Sequence, residues 1–262
     1  MRLGLVLAAL VGLGVAPGHA VRAEGCPAPA ELGQVVLPPA PCYDFEVSYQ
    51  RPTRQYPHAV LGDDEEFKSI LVKKDRFSIF INLPVDRVFE DLAPRVANVD
   101  GDPEPELIVI ESFDNAGASL AIYDVTFSAL GRPSQRRLAA TRPIGQRFRW
   151  LAPVGIADFD GDGQNDIAYV ETPHLGKTLR IVTLRDGALV ELASGEGFSN
   201  HRIGEAFISG GVRDCGAGPE AIVANDDWTQ VQAVALANGS LVATPLGSFA
   251  GPESFAAALA CP

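Results

Sequence analysis

The feature that most constrains this chain is an acidic segment at residues 158–166, which is followed at once by the apolar run 167–170. Carboxylates occupy its first, third, fifth and ninth positions. At contact distance each pair repels by about 1 kcal/mol in water and by roughly 4 kcal/mol in a partly buried loop, so the bare loop resists closing. Calcium removes that obstacle, because it takes about six to eight oxygen ligands, and Gly161 and Gly163 allow the necessary tight turns. The segment predicts a calcium site with the ligands Asp158, Asp160, Asp162, the main-chain carbonyl of Gln164, and Asp166; the alternative is a solvated acidic turn.

The flanking residues distinguish this segment, the later acidic loop, from a calcium loop of the EF-hand kind. An EF-hand carries a bidentate glutamate at position twelve and a helix on either side. Here position twelve is Tyr169, and the flanks 151–157 and 167–170 are short, contain β-branched residues and are bounded by turn residues. Such flanks are typical of strands. We therefore expect the loop to join two β-strands.

The pattern recurs sixty residues earlier, at residues 98–106, which we call the earlier acidic loop. Its ligand positions are Asn98, Asp100, Asp102 and Glu106. Pro103 stands where the later loop has Gly163, and proline cannot adopt a positive φ, so a metal-binding loop and an empty one both remain open. A third copy, residues 210–223, keeps the strand pattern and loses the ligands. We expect no metal in the third copy.

Internal repeats of roughly this length are typical of propellers and solenoids. The motif Asp-x-Asp-Gly-Asp-Gly-x-x-Asp at residues 158–166, and less specifically residues 98–106, resembles the FG-GAP or VCBS repeats of integrin-like β-propellers and of many exported bacterial proteins. The resemblance covers about residues 58–247. It implies that each loop links the first two strands of a blade and holds structural calcium. Members commonly have seven blades, and this chain is too short for seven.

The amino terminus has the pattern of a secretory signal peptide. An apolar run at residues 3–15 follows Arg2 and precedes two small-x-small cleavage candidates, which predicts a signal peptide at 1–23 and export to the periplasm or the extracellular space. The run is too short to span a bilayer, which needs about 20 residues, so we expect no transmembrane segment. Residues 24–42 contain a high density of proline and predict an extended arm. The propeller then occupies residues 43–262.

The charge of the chain limits the partners it can have. The full chain has a formal charge of −12, and loss of the leader removes Arg2 and Arg22 as well. Such a negative protein is a poor ligand for nucleic acid and for anionic membrane surfaces. We expect a protein or glycan partner, no nucleic acid, and a monomer.

The four cysteines predict two disulfides, because an even count in an exported protein favours paired thiols. Three pairings are possible, and four buried thiols are the alternative. We predict Cys26 with Cys42, which would hold the arm, and Cys215 with Cys261, which would tie the C-terminus to the third repeat. No Cys-x-x-Cys spacing indicates zinc or redox chemistry.

Short candidate strands recur from residue 45 to residue 245, and almost nothing has the periodicity of an amphipathic helix. Two of the candidate strands are the stretches 59–61 and 207–212. Repeated blade starts fall near residues 62, 91, 150 and 204, which fits four blades, with a fifth if residues 45–50 pair with a C-terminal strand at 254–260. The predicted fold is all-β, a small β-propeller of four or five blades with five preferred, and calcium loops between the first and second strands of blades.

The function predicted from these features is that of an exported calcium-binding module without catalysis. The alternative is a hydrolase or lyase that cleaves an extracellular polymer through an acid/base pair drawn from His174, His201 and Glu205. No nucleophile elbow, phosphate loop or His-Glu-x-x-His motif is present. Trp150 and Trp228 are expected to pack between blades, or alternatively to stack against sugars. If the propeller layout holds, one funnel for a ligand is lined by His174, Lys177, Arg149, Arg202, Glu205 and Asp91.

Overall fold

The computed structural model describes residues 45–127 and 133–261, together with the main chain of 21–22. Within these ranges the regular structure is β-sheet, apart from one short helix, so the all-β fold class is confirmed. The predicted proline-rich arm and the predicted Cys26–Cys42 pair lie outside the described residues. So does the predicted signal peptide, except for the two residues Val21–Arg22, which pair with the strand that begins at Glu46.

The first of three antiparallel sheets has nine strands. Its N-terminal part contains Val21–Arg22 (β1), Glu46–Thr53 (β2), Glu66–Lys74 (β3) and Phe77–Asn82 (β4). Arg87–Phe89 (β5) connects this part to a C-terminal part made of Arg95–Ala97 (β6), Glu106–Phe113 (β7), Gly117–Phe127 (β8) and Pro133–Ala140 (β9). The hydrogen-bonding order is β1-β2-β3-β5-β7-β8-β9, with β4 on β3 and β6 on β7.

The two remaining sheets are meanders that follow along the chain. The second sheet consists of Leu151–Ala157 (β10), Asp166–Glu171 (β11), Thr178–Arg185 (β12) and Ala188–Glu196 (β13), paired in that order. The third consists of Phe198–Ser199 (β14), Gly211–Asp214 (β15), Pro219–Asn225 (β16), Gln230–Ala237 (β17) and Ser240–Ser248 (β18), with β14 and β15 both on β16. Helix α1, Glu253–Leu259, ends the described fold.

The sheets pack face to face in chain order. Because side chains alternate across a strand, a strand between two layers is apolar at every position. Strand β7 shows this: Leu107 and Val109 pack against the N-terminal part of the first sheet, and Ile108 and Ile110 pack toward the second sheet. Residues of the second sheet then pack against the third in the same way. The core therefore lies between successive sheets.

Gly155 allows the second and third sheets to approach closely. A β-carbon at this position would lie 2.5 Å from a methyl carbon of Val212 on β15, so no larger residue fits without displacing the strand. The register of β10 against β11 also shifts between Pro153 and Gly155. The glycine and the bulge together set this sheet-to-sheet contact.

The predicted C-terminal strand at residues 254–260 is wrong, because this stretch forms most of α1. Alanine and leucine favour a helix, and Phe255 and Ala258, three residues apart, face the same side and are buried. They pack with Ile222 and Ala233 on the outer face of the third sheet. The strand that would have closed a fifth blade is therefore not formed, and the described residues show no closed ring.

Two other strand predictions differ from the structure. Residues 59–61 form a turn, because Ala59 and Gly62 both have positive φ angles, 55° and 93°, which a strand cannot contain. The predicted strand 207–212 is reduced to β15, which begins only at Gly211. Gly210, with a φ of 83°, interrupts the extended backbone before it.

Candidate metal centre

The later acidic loop joins β10 and β11, whose residues Ala157 and Asp166 are paired across the sheet. Gly161 and Gly163 have φ angles of 77° and 92°, so the chain turns twice within the loop. The turns direct main-chain amides toward side-chain carboxylates. These hydrogen bonds run from Gly161 N and Gly163 N to Asp158 (2.8 and 3.0 Å), from Asp162 N to Asp160 (3.1 Å), and from Gln164 N to Asp162 (2.9 Å).

Three of the four predicted carboxylates of this loop converge. Asp158, Asp160 and Asp166 each offer an oxygen, and these oxygens lie within 4.8 Å of one another. Asp162 is outside this group; its Oδ1 accepts from Gln164 N and its Oδ2 accepts from Arg185. The arrangement is a cluster of hard oxygen donors, which is the donor set that calcium takes in proteins.

Asp166 is the buried member of the cluster. Its side chain is fully buried, and Oδ2 accepts a hydrogen bond from Phe159 N at 2.9 Å. Its Oδ1 is buried without a hydrogen bond of ordinary geometry, and so is the nearby hydroxyl of Thr183. Burial raises the pKa of Asp166 to about 6, although the Thr183 hydroxyl lowers it. A buried carboxylate oxygen with no donor is costly unless a cation satisfies it.

The earlier acidic loop, between β6 and β7, repeats the same hydrogen-bond pattern. Asp100, Asp102 and Glu106 offer oxygens within 4.8 Å of one another, and burial raises the pKa of Glu106 to about 7. Pro103 removes one donor, because it has no N–H, and only the turn at Gly101, with a φ of 83°, matches the later loop. The corresponding bonds run from Gly101 N to Asn98 (2.9 Å), from Asp102 N to Asp100 (3.0 Å), from Glu104 N to Asp102 (2.7 Å), and from Val99 N to Glu106 (2.7 Å).

The two loops lie side by side. The side-chain amide of Gln164 donates to the carbonyl of Val99 at 2.6 Å and to the carbonyl of Leu184 at 2.7 Å. Asn165 donates to the carbonyl of Asn98 at 2.8 Å. Residues of the later loop therefore hold the main chain of the earlier one, and both acidic clusters lie at the same end of the packed strands.

The third copy contains a disulfide instead of an acidic cluster. Its turn connects β15 to β16, and Asp214 accepts from Gly216 N and Gly218 N at 2.7 and 3.1 Å. Cys215 is bonded to Cys261, with a Cα–Cα distance of 5.5 Å, so this predicted pairing is confirmed. The bridge ties the end of α1 to the turn that has lost the calcium ligands.

Two of the predicted funnel residues, His174 and Glu205, meet through His201 at the opposite end of the strands. Strand β11 begins at Asp166 and ends at Glu171, so the following hairpin tip, 172–177, lies away from the acidic loop. There His174 Nε2 donates to His201 Nδ1 at 2.9 Å, and His201 Nε2 donates to the main-chain carbonyl of Glu205 at 2.9 Å. The Glu205 carboxylate takes no part, and its Oε2 is buried without a partner.

The other funnel residues are engaged in separate contacts. Lys177 donates to the carbonyl of Asp226, and Arg149 donates to the carbonyl of Phe148 at 3.4 Å. Arg202 lies over the rings of Trp228 and Phe249, 4.5 and 4.6 Å from their centroids. Asp91 is buried in an ion pair with Arg95. The structure thus brings His174, His201 and Glu205 together and directs the rest to different neighbours.

Sequence reasoning missed a second polar pair at this end. His58 Nδ1 lies 2.5 Å from Glu90 Oε1, the Glu90 side chain is fully buried, and Ser112 donates to its other oxygen. Burial raises the pKa of Glu90. The pair is the His–carboxylate contact that a hydrolase or lyase would need, and the sixty-odd-residue repeat gave no signal for it because the two residues belong to different repeats.

The two tryptophans have different surroundings. Trp150 is 2% exposed, packs against His174 and His201, and donates from Nε1 to the Glu90 carbonyl at 2.9 Å. It therefore packs inside the fold and offers no platform for a sugar. Trp228 is partly exposed and is covered by Arg202.

A search for related proteins gives no family to which the chain can be assigned: no protein-family model matches it, and no curated protein matches it. Fold and site together define the class as an all-β protein of stacked antiparallel sheets with two acidic loops at one end of the strands.

None of the helices in the described part of the chain has the length and apolar character needed to cross a bilayer.

The paired histidines predict a pH dependence of stability. Burial lowers the pKa of His174 to about 4, and burial also lowers the pKa of His201. When the pKa of a histidine is lower in the folded protein than its unfolded value of about 6.5, the free energy of unfolding decreases as the pH falls from that value toward 4. The reason is that the unfolded chain binds a proton in this range and the folded protein does not. We expect His174→Gln to weaken that decline. Urea unfolding of the wild type and of His174→Gln at pH 7 and pH 4.5 measures how much unfolding free energy each protein loses between the two pH values. An equal loss in both proteins would contradict the role of His174.

Proposed function

We propose that the chain is an exported calcium-binding β-propeller-like protein that acts as a binding module without catalysis, in which calcium is structural. One observation carries the calcium assignment: two loops sixty residues apart hold converging acidic oxygens with corresponding side-chain-to-main-chain hydrogen bonds, and each cluster includes one buried carboxylate, Asp166 or Glu106.

In this proposal the ligands of the later loop are its three converging carboxylates, the carbonyl of Gln164, and Asp162 after its side chain turns from Arg185. The earlier loop uses its own three carboxylates and the side-chain oxygen of Asn98. Calcium supplies positive charge that offsets carboxylate repulsion and fixes the turns. The two ions would therefore rigidify neighbouring sheets, which the hydrogen bonds of Gln164 and Asn165 already connect.

The proposed binding surface is the end of the strands opposite the loops. Leu175 and Ile203 are exposed there, at 61% and 74%, beside the bonded pair His174 and His201. Exposed apolar side chains beside a partly buried histidine, His174, suit a protein or glycan partner. The Cys215–Cys261 bridge agrees with export to an oxidising compartment.

Thermal unfolding of the purified mature protein tests the calcium assignment. The unfolding temperature is expected to rise when a chelator is replaced by excess calcium, because an ion that binds only the folded state stabilises it by about 2.7 kcal/mol at one hundred times its Kd. Metal analysis of the same sample should give two ions per chain if both loops bind. The absence of both a shift and bound metal would reject the proposal.

A further inference from the structure

Arg185, the last residue of β12, lies on the later acidic loop. Its Nη2 donates to Asp160 Oδ2 and to Asp162 Oδ2, both at 3.1 Å. The side chain is 47% exposed, so nothing in the surrounding packing forces it into this position. The guanidinium is the cation that balances the loop carboxylates in this structure.

The contacts of Arg185 leave one part of the loop unsatisfied. With Arg185 in place, both oxygens of Asp162 are engaged, and so are both oxygens of Asp160, whose Oδ1 accepts from Asp162 N. The guanidinium makes no hydrogen bond to Asp166, whose Oδ1 stays buried without a hydrogen bond of ordinary geometry. A cation seated among the three converging carboxylates would contact Asp166, and it would share Asp160 with Arg185.

The earlier loop has no such cation. Ile167 pairs with Val182 in the second sheet as Leu107 pairs with Tyr123 in the first, so the residue that corresponds to Arg185 is Thr126. The Thr126 hydroxyl donates to Asp124. Within 45–127 and 133–261, no Lys or Arg forms an ion pair with Asp100, Asp102 or Glu106.

We propose that Arg185 is a built-in competitor of calcium at the later loop, a residue that lowers the affinity of this site and that the incoming ion displaces. The inference rests on the calcium assignment made above. A positive charge on two of the ligand carboxylates opposes a second cation by Coulomb repulsion and by occupying the same oxygens. The two loops consequently bind calcium with different affinities, and the later one is filled only at higher calcium concentrations than its ligand set alone would require.

The test is a calcium titration of Arg185→Gln in a background that silences the earlier loop through Asp100→Ala. Arg180→Gln is the matched control, because Arg180 lies on the same strand and pairs with Glu171 and Glu191, away from the loop. Far-UV circular dichroism first establishes that each variant is folded. At low ionic strength we expect Arg185→Gln to bind calcium about tenfold more tightly than the background protein, and Arg180→Gln to match the background. Arg185→Gln should also unfold at a lower temperature in chelator, because the loop has then lost the cation that pairs with Asp160 and Asp162.

The outcomes separate the two proposals. If the background protein binds calcium and Arg185→Gln binds it equally or more weakly, Arg185 is a support of the loop and the competition is rejected while the calcium assignment stands. If only Arg185→Gln binds calcium, the competition is confirmed in its strongest form. If the background protein, Arg185→Gln and the wild-type chain all bind no calcium, both proposals are rejected and Arg185 is the permanent counter-ion of an acidic turn.

Discussion

Replacing Asp160 with alanine is expected to abolish the calcium-dependent stabilisation contributed by the later loop. Asp160 is one of the three converging carboxylates, and its Oδ1 also holds Asp162 N at 3.1 Å, so the change removes a ligand and loosens the turn. At calcium concentrations that fill the wild-type site one hundredfold over its Kd, the loss amounts to about 2.7 kcal/mol. The measurement is thermal unfolding of wild type and variant in calcium and in chelator.

Two further variants make this result specific. Glu196→Ala, at an exposed position on the edge strand β13, removes a carboxylate far along the strand from the loop and should leave the calcium response unchanged. Asp100→Ala should remove only the part of the response that belongs to the earlier loop. If Asp160→Ala keeps the full wild-type response, the later loop is not the calcium site.

Removing the bridge between Cys215 and Cys261 is expected to cost about 4 kcal/mol of unfolding free energy. The bridge closes a loop with a sequence separation of 46 residues, and a crosslink of that length removes roughly this much conformational entropy from the unfolded chain. Helix α1 also depends on the bridge, because its other anchors are few. Phe255 and Ala258 are its buried residues, and Arg213 donates to the Ala258 carbonyl at 2.7 Å. The test is urea unfolding of the double variant Cys215→Ser with Cys261→Ser.

An independent variant separates the bridge from the docking of the helix. Phe255→Ala leaves the disulfide in place and removes a buried side chain through which α1 packs on the third sheet, so it lowers stability through packing alone and gives the cost of undocking the helix without loss of the bridge. Non-reducing peptide mapping of the wild type should recover Cys215 and Cys261 in one crosslinked fragment. A double variant that unfolds at the wild-type urea concentration would show that the bridge adds nothing to stability.

The predicted all-β class is confirmed because it follows from local features: short apolar stretches with β-branched residues, separated by turn residues. The confirmed Cys215–Cys261 pairing follows from the even cysteine count and the position of the third repeat. The errors lie where tertiary packing decides between two locally possible structures. Residues 254–260 are apolar enough for a strand. They form a helix, which places Phe255 and Ala258 on one side where both pack against the third sheet.

The sequence by itself determined the positions and chemical type of the acidic residues that converge in each loop, because a loop between two paired strands is a local structure whose residues all lie within nine positions. Only the tertiary structure decided which groups from elsewhere in the chain reach that loop. Arg185 lies on a different strand, Gln164 contacts the neighbouring loop, and His58 meets Glu90 across repeats. Such contacts depend on the register of the strands and on how successive sheets stack. The spacing of residues along the chain determines neither.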